Sequence, residues 1–476
     1  MRFSIENIGA INKAIVDIDG ITIIAGENNV GKSTIGKALF AFLRNMNDWK
    51  KIYDQVCVKA ITKFLYDNSI WLEDFCMANS GAKRRRTSKA DLLINQYANA
   101  DDFLVALEDY RVAREDDQHY NKPLVIADAK NTLETYLWNY CFSYLSLYFK
   151  ENKYELLRVY ESKLSRWISQ TLKDAERLNL DGVELQKKVI SNSFESVFQN
   201  QYRKFGTNKS TILFTYNNRE IHFEVDDEGE RLDNIVFINN NIHFIESPKI
   251  FDYIANYRFG QETKATLRRM MVPNTFRTNI YPIANYRSNP SPVYDFEKEL
   301  NPILNHLSDV MGGQAEFHQK TGLVFKDRVL DVPIKSANVS TGLKSIALLE
   351  YALRIGAIER GDILILDEPE INLHPEWQIE YAKAIVALQK IFDLKFIITS
   401  HSPFFMRAIE CFTDINGTMD NLNVYRVSCS DRASMHEVTN VSYSEYGMSD
   451  LYEDLSEPLD KLDALLDEKY GAEDGE

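Results

Sequence analysis

The sequence predicts an α/β fold in which a mixed β-sheet with flanking helices is interrupted by a large, mainly helical insertion. The run at residues 21–25 is almost wholly apolar, which is typical of a strand buried on both faces of a parallel sheet, and residues 361–366 and 395–399 also have the pattern of buried strands. A helical pattern at residues 376–389 separates the last two runs, so they form a βαβ unit. Between residues 47 and 204 glycine and proline become scarce and helical spacing dominates, which indicates the insertion.

Length and composition exclude several classes of protein. The 476 residues correspond to roughly three units of about 150 residues each, and 45% of them are apolar, which excludes a mainly disordered chain. With 55 basic and 70 acidic residues the net charge is −15, so a generally basic nucleic-acid coat is excluded, although a local basic groove is not. The five cysteines form no C-x-x-C pair and suggest neither a zinc site nor a disulfide framework. No signal peptide or apolar run of about 18 residues is recognisable, so we expect a cytoplasmic protein without a membrane span.

Residues 1–46 form the first predicted segment. Strands are expected at residues 2–8, 14–18 and 21–25, and a glycine-containing loop then leads into a helix at residues 32–45. This segment is the first part of the predicted sheet.

The predicted insertion, residues 47–204, includes an aromatic-rich helix at residues 133–147 and an amphipathic helix at residues 155–178. An independent domain is the alternative interpretation. A cluster of basic residues fits either a solvated loop or a contact with phosphate backbone. Its members are Lys83, Arg84, Arg85, Arg86 and Lys89.

Residues 205–445 return to strand character and complete the sheet. The segments 211–216 and 219–225 flank Asn217-Asn218 and predict a β-hairpin, with a third strand at residues 235–238, which indicates an antiparallel β subdomain. Helices are expected at residues 301–311 and 344–358. In the acidic tail, residues 446–476, leucines recur at helical spacing although Pro458 interrupts them. The tail could pack on its own body or dock a partner.

The strongest motif follows the third predicted strand and precedes the first helix, with the pattern G-x-x-x-x-G-K-[ST]. Its glycines allow backbone N–H groups to wrap a phosphate, and the helix N-terminus adds a positive dipole end. We expect Lys32 to reach the β and γ phosphates of a nucleotide, Ser33 to hold Mg²⁺, and Thr34 to lie near the α phosphate. The predicted nucleotide-binding residues of this loop are Gly26, Glu27, Asn28, Asn29, Val30, Gly31, Lys32, Ser33 and Thr34.

Two carboxylates, Asp367 and Glu368, come directly after the buried run at residues 361–366. Ligands of open α/β sheets bind at the carboxyl ends of the strands. We therefore expect Asp367 to hold Mg²⁺, commonly through water, and Glu368 to polarise the attacking water as a general base.

Three further segments accompany these motifs. Ser340 and Gly342 belong to a segment that precedes a helix and could present N–H groups and a hydroxyl to a phosphate, although such a segment is also typical of an ordinary helix cap. The segment Asn-Leu-His-Pro at residues 372–375 follows Glu368 closely. His401 follows the next buried strand, where it could hydrogen-bond a γ-phosphate or a catalytic water.

The order GENNVGKST, VSTGLKS, ILILDEPEINLHPEWQ and IITSHSP resembles the ABC-type P-loop ATPase heads of the OLD, RecF and SMC class, and most of all the OLD-like stand-alone ATPases of anti-phage defence systems. The resemblance covers residues 1–45 and 205–440, and it implies binding of ATP and Mg²⁺. It implies a Walker A loop, an ABC signature, a Walker B strand, a D-loop and a switch histidine at residues 26–34, 340–345, 363–368, 370–375 and 401, respectively. Arg287, in a segment similar to an arginine-bearing segment of OLD-like heads, is a further candidate for nucleotide binding.

The resemblance also implies catalytic roles for Lys32, Glu368 and His401, and partners for the chain. In ABC-type heads the signature of one copy completes the site of another, so a head-to-tail homodimer or a higher homo-oligomer is expected. No nuclease constellation is evident, and the formal R-x-x-x-x-H match at residues 114–119 has acidic neighbours that oppose RNA. The resemblance therefore implies a separate nuclease effector, with the HNH type of Septu systems favoured and the Toprim type of PARIS systems second. A RecF/SMC-like ATPase that repairs or clamps DNA is the alternative, so DNA contact stays open.

Overall fold

A computed structural model of the chain describes most of its residues. These are residues 1–44, 46–47, 49–80, 88–98, 103, 107, 123–149, 153–178, 181–246, 294–318, 322–330, 332–430, 435–442 and 448–471. The chain divides into two compact units. Met1–Asn47 and Gln186–Glu476 form one unit, which we call the head, and Asp48–Leu185 forms the other, which we call the helical unit.

Strands and helices alternate in the head, whereas only helices are described in the helical unit. The strands are β1 (Arg2–Ile8), β2 (Ile11–Asp17), β3 (Ile21–Ala25), β4 (Lys209–Tyr216), β5 (Arg219–Asp226), β6 (Glu230–Leu232), β7 (Ile242–Glu246), β8 (Gly313–His318), β9 (Gly322–Asp327), β10 (Pro333–Lys335), β11 (Ile363–Asp367), β12 (Lys395–Ser400), β13 (Leu422–Ser430) and β14 (Met435–Asn440). The α-helices are α1 (Lys32–Leu43), α2 (Trp49–Ser80), α3 (Ser88–Tyr97), α4 (Pro123–Ser146), α5 (Lys153–Glu176), α6 (Gly182–Phe198), α7 (Tyr294–Met311), α8 (Thr341–Arg354), α9 (Pro375–Phe392), α10 (Pro403–Ile415) and α11 (Ser449–Gly471).

Within the described residues, eleven strands form one sheet in the order β6-β5-β4-β1-β2-β14-β13-β3-β12-β11-β7. From β13 to β7 the neighbouring strands are parallel. Strands β1, β2, β4, β5 and β6 pair antiparallel with one another. A second, antiparallel sheet contains β10, β9 and β8. The sheet is therefore mixed, and the parallel part brings the carboxyl ends of β3, β12 and β11 to one edge.

Helix α1 packs on the large sheet through two phenylalanines that face different strands. The ring of Phe40 lies 5.7 Å from that of Phe244 on β7, and the ring of Phe42 lies 5.8 Å from that of Phe214 on β4. At Gly36 the helix approaches β11 so closely that a Cβ atom would lie 2.9 Å from Cγ2 of the β11 residue Ile365. This contact holds the helix that begins at Lys32 over the strand that ends at Asp367.

The predicted strand at residues 235–238 is wrong. This segment has no strand structure, although Val236 and Ile238 are buried. The backbone of Val236 is bonded instead to the side chain of Gln186 on α6, which accepts from its N–H at 2.7 Å and donates to its carbonyl at 2.8 Å. The strand that pairs with the predicted hairpin is β6, and the next strand, β7, joins the parallel edge of the sheet.

The second part of the head begins within α6, at Gln186, whereas the sequence predicted that it begins at residue 205. The bonds between Gln186 and Val236 are one reason. The other is aromatic packing, because Phe194 of α6 stacks on Phe223 of β5 with ring centroids 6.0 Å apart. Because both contacts join residues distant in sequence, helical spacing alone does not reveal them.

The helical unit has its own apolar core, to which α2, α3, α4 and α5 contribute. Its thiols Cys57, Cys76 and Cys141 are buried and free. Burial raises the pKa of Cys76 and of Cys141 to about 12, so both remain thiols at neutral pH. These cysteines act as small apolar side chains of the core.

The acidic tail forms α11 and is anchored at its first turns. Leu451 is buried, and the Tyr452 hydroxyl donates to Glu410 Oε2 at 3.0 Å. The helix runs through Pro458, where the sequence predicted an interruption. Beyond it Leu462 and Leu465 are 57% and 62% exposed. No helix in the described part of the chain is long and apolar enough to cross a membrane.

Candidate functional site

The loop after β3 has the backbone conformation that its glycines were expected to provide. Gly26 and Gly31 have φ values of 153° and 98°, and Asn29 also has a positive φ. A Cβ atom at Gly26 would lie 2.6 Å from the carbonyl oxygen of Val427, and one at Gly31 would lie 2.8 Å from the Ile11 side chain. Because both positions combine positive φ with close neighbours, only glycine fits them without strain.

The ammonium group of Lys32 lies inside this loop. Its side chain is 3% exposed, and Nζ donates to the carbonyl oxygens of Gly26 at 2.9 Å and Glu27 at 2.6 Å. Glu368 Oε1 is 3.6 Å from Nζ. Burial lowers the pKa of Lys32, and the nearby Glu368 carboxylate opposes that effect. The loop therefore holds a poorly solvated cation where a phosphate is expected to bind.

Ser33 and Asp367 meet although 334 positions separate them in the sequence. The Ser33 hydroxyl donates to Asp367 Oδ1 at 2.6 Å, and the Thr399 hydroxyl donates to the same oxygen at 2.7 Å. Mg²⁺ prefers oxygen ligands and is usually held through one or two carboxylates together with substrate phosphates. A hydroxyl and a carboxylate beside a phosphate loop match that donor set.

Glu368 occupies an unusual backbone position, with φ at 48°. Its N–H lies 3.1 Å from the carbonyl oxygen and 3.0 Å from the hydroxyl oxygen of Thr399. These contacts tie the start of the loop after β11 to the end of β12. The Glu368 carboxylate is 24% exposed and extends towards both Lys32 and His401, so it borders the loop and remains reachable by water.

His401 follows β12 and lies between two carboxylates. Its Nδ1 is 3.6 Å from Glu368 Oε1 and 3.7 Å from Glu370 Oε1. Glu370 is 3% exposed and accepts from the Ser400 hydroxyl at 2.6 Å and from the His401 N–H at 3.3 Å. The structure thus brings Lys32, Glu368 and His401 together.

The predicted signature begins α8 and adjoins the predicted D-loop of the same chain. Ser340 is exposed and is the N-cap residue, yet its side chain makes no capping hydrogen bond. A Cβ atom at Gly342 would lie 2.4 Å from the carbonyl oxygen of Asn372, so glycine permits this close approach. The N-terminus of α8 therefore carries an exposed Ser340 hydroxyl that does not cap the helix.

Two residues that organise the site, Thr399 and Glu370, received no individual role in the sequence analysis. Thr399 is a buried polar residue directly after three apolar residues of β12, and this change in polarity is a signal that the sequence contains. Glu370 lies in the segment assigned to the D-loop, but a buried carboxylate there has no local sequence signature. Arg287, the basic cluster at residues 83–89 and the match at residues 114–119 all lie outside the residues whose side chains the structure describes.

Comparison with known families identifies the class of protein. The family described as "AAA ATPase domain" matches residues 1–406, so the chain belongs to this family. The protein is an ATPase, which confirms the predicted enzyme class. The predicted fold class, an α/β P-loop ATPase head with a mixed sheet and a helical region, is also confirmed.

Solved structures similar to the chain include heads of SMC proteins. One is the SMC head domain from Thermotoga maritima, with 10% identity, a TM-score of 0.35, and coverage of 92% of this chain and 98% of that chain. A second is an SmcHead bound to the C-winged helix domain of ScpA, with 12% identity, a TM-score of 0.40, and coverage of 93% and 98%. A third is the Smc head domain with a coiled coil and joint from Pyrococcus yayanosii, with 12% identity, a TM-score of 0.32, and coverage of 95% and 98%.

Proposed function

We propose that the chain is an ATP-driven switch whose head hydrolyses ATP with Mg²⁺ at the edge formed by β3, β12 and β11. The observation that carries this proposal is the convergence of Lys32, Ser33, Asp367, Glu368 and His401 at that edge. Residues 26–34 bind the phosphates, and Ser33 and Asp367 hold the metal. When bound there, Mg²⁺ would neutralise negative charge on the phosphate oxygens.

Each remaining side chain has a role that follows from its position. The Lys32 ammonium exchanges its contacts with the carbonyl oxygens of Gly26 and Glu27 for phosphate oxygens, which are stronger acceptors. This exchange draws Lys32 away from Glu368, whose carboxylate then accepts a proton from the attacking water. His401 hydrogen-bonds the terminal phosphate or that water.

The site is completed by a second copy of the chain. Ser340 is exposed and uncapped at the N-terminus of a helix of 14 residues, where backbone N–H groups and the helix dipole favour an anion. We infer that this end binds the γ-phosphate of ATP held by the partner copy, in a head-to-tail homodimer or a higher homo-oligomer. Hydrolysis then depends on closure of two copies, which suits slow switching.

Ser340→Arg is expected to abolish ATP-dependent dimerisation and most hydrolysis while leaving ATP binding to the monomer unchanged. The reason is that a long cation at the helix N-terminus blocks the approach of the partner's phosphate and opposes the helix dipole. Size-exclusion chromatography with light scattering measures the dimer in ATP–Mg²⁺. Asn338→Arg, an exposed position two residues earlier, is the control for added charge and size. A Ser340→Arg protein that still dimerises with ATP contradicts the composite site.

We further propose that the switch regulates a separately encoded nuclease effector in anti-phage defence, of HNH type first and Toprim type second. The motif resemblance supports this role, and α11 offers a place for docking because Leu462 and Leu465 are exposed on an acidic helix. Such a surface suits a basic partner with an apolar groove.

Affinity purification of Glu368→Gln from the native host with ATP–Mg²⁺, followed by mass spectrometry, tests the effector. We expect a stoichiometric nuclease that is lost from Lys32→Ala and from Leu462→Asp/Leu465→Asp. Recovery of DNA with no nuclease contradicts the defence role and supports the alternative, a RecF/SMC-like ATPase that clamps or repairs DNA. The fold of the nuclease distinguishes the Septu-like from the PARIS-like arrangement.

A further inference from the structure

A buried carboxylate, Glu370, lies next to the proposed catalytic residues without a role in the mechanism above. It is 3% exposed, and burial raises the pKa of its carboxyl group while the Ser400 hydroxyl opposes that effect. Oε1 accepts from both Ser400 and the backbone of His401, the residues that end β12 and follow it. Ser400 also accepts from the N–H of Ser402 at 3.1 Å, so the carboxylate is fixed to the turn that carries His401.

Two buried polar atoms of Glu370 and His401 have no hydrogen-bond partner among the described residues. They are Glu370 Oε2 and His401 Nδ1. Leaving such an atom unsatisfied is destabilising, and an instance in a native site calls for an explanation. Here one atom is an acceptor and the other becomes a donor when protonated. The Nδ1 atom and the Glu370 carboxylate are 3.7 Å apart, beyond a hydrogen bond by roughly 1 Å.

We propose that Glu370 is a positioning residue that accepts a hydrogen bond from Nδ1–H of His401 when the site closes on ATP. This bond selects the Nδ1–H tautomer, so that Nε2 is an acceptor and takes a hydrogen bond from the attacking water. The inference rests on the proposed role of His401 in hydrolysis. It assigns to the first residue of the D-loop a function in orienting the histidine.

Glu370 is better placed than Glu368 to hold the histidine during hydrolysis. Glu370 accepts hydrogen bonds from two donors in the turn that carries His401. Glu368 instead contacts Lys32, and this contact is lost when Lys32 binds the phosphates. Glu368 is also needed for the attacking water. The near-equal distances, 3.6 and 3.7 Å, therefore describe a histidine between two acceptors, of which only Glu370 is free of other catalytic work.

Steady-state kinetics with a double-mutant cycle test the assignment. We expect Glu370→Gln to lower kcat about 10–100-fold, the usual effect of losing a residue that orients another, with KM little changed. In a His401→Ala background the same change is expected to alter kcat less than about twofold, because Glu370 acts through the histidine. Glu376→Gln, at an exposed position six residues on, is the control.

The outcomes separate this inference from the proposed function. Equal losses for Glu370→Gln in both backgrounds, or a wild-type kcat, overturn the positioning role while His401 keeps its own. A wild-type kcat for His401→Ala overturns the proposed role of the histidine and this inference with it.

A spectroscopic measurement on the wild-type protein tests the proposal even if Glu370→Gln does not fold. With ring-¹⁵N histidine and a non-hydrolysable ATP analogue plus Mg²⁺, the wild-type protein is expected to show His401 as the Nδ1–H tautomer, assigned by loss of its signal in His401→Ala. A pure Nε2–H tautomer contradicts the proposal. Where Glu370→Gln folds, we expect a mixture of the two tautomers.

Discussion

Glu368→Gln is expected to lower kcat for ATP hydrolysis by about 10²–10⁴-fold, the range for loss of a general base. The amide has almost the shape of the carboxylate but does not accept the proton of the attacking water. The backbone contacts of residue 368 with Thr399 are unaffected, so the loop after β11 keeps its course. Phosphate release under single-turnover conditions measures the effect.

ATP affinity of the same variant is expected to equal or exceed that of the wild type. Removal of the Glu368 charge, 3.6 Å from Lys32 Nζ, frees the ammonium for phosphate and removes a repulsion of the incoming anion. The variant therefore accumulates as the ATP-bound dimer. Glu376→Gln, whose side chain is 85% exposed, controls for loss of a carboxylate. Hydrolysis by Glu368→Gln at the wild-type rate would show that another group is the base.

Lys32→Ala is expected to weaken ATP binding by about 10–150-fold, which corresponds to the roughly 1.5–3 kcal/mol of one hydrogen bond to a charged group. The effect arises because the Lys32 ammonium is already inside the loop and poorly solvated, so phosphate replaces weak partners rather than bulk water. Titration with a fluorescent ATP analogue measures the dissociation constant.

Lys37→Ala is the matched control for Lys32→Ala. Both lysines lie on α1, but Lys37 lies outside the loop of residues 26–34. The control is expected to bind ATP as the wild type does. An unchanged dissociation constant for Lys32→Ala contradicts the assignment of residues 26–34 as the phosphate loop, whereas equal losses for both variants point to damage of α1 rather than loss of a phosphate contact.

Several parts of the fold and site follow from short stretches of sequence. Strands β1 and β3 begin and end where the apolar patterns predict, and α1 begins at Lys32 as expected. Local chemistry decides these elements, because a strand buried on both faces needs a continuous apolar run and a phosphate loop needs glycine at fixed spacing. The turn between β4 and β5 is also decided by local chemistry, because Asn217 and Asn218 adopt the positive φ values that asparagine tolerates.

Long-range pairing had to be observed in the structure. The missed strand β7 is short and pairs with β11, more than a hundred residues away, and the side chain of Gln186 replaces a strand partner for Val236. No periodicity records such contacts, since the pattern of one segment carries no information about which distant backbone satisfies its hydrogen bonds.

The chemistry of the proposed site is readable in three contiguous motifs: a phosphate loop, a strand that ends in two carboxylates, and a histidine after the next strand. Each is a contiguous motif whose residue types are dictated by the ligand. How these motifs meet depends on the folded chain. It places β12 between β3 and β11, so that Thr399 joins Asp367 to Glu368 and Glu370 adjoins His401. The physical reason is that burial and hydrogen bonding of these polar groups depend on neighbours up to 334 positions away, which only the folded chain brings together.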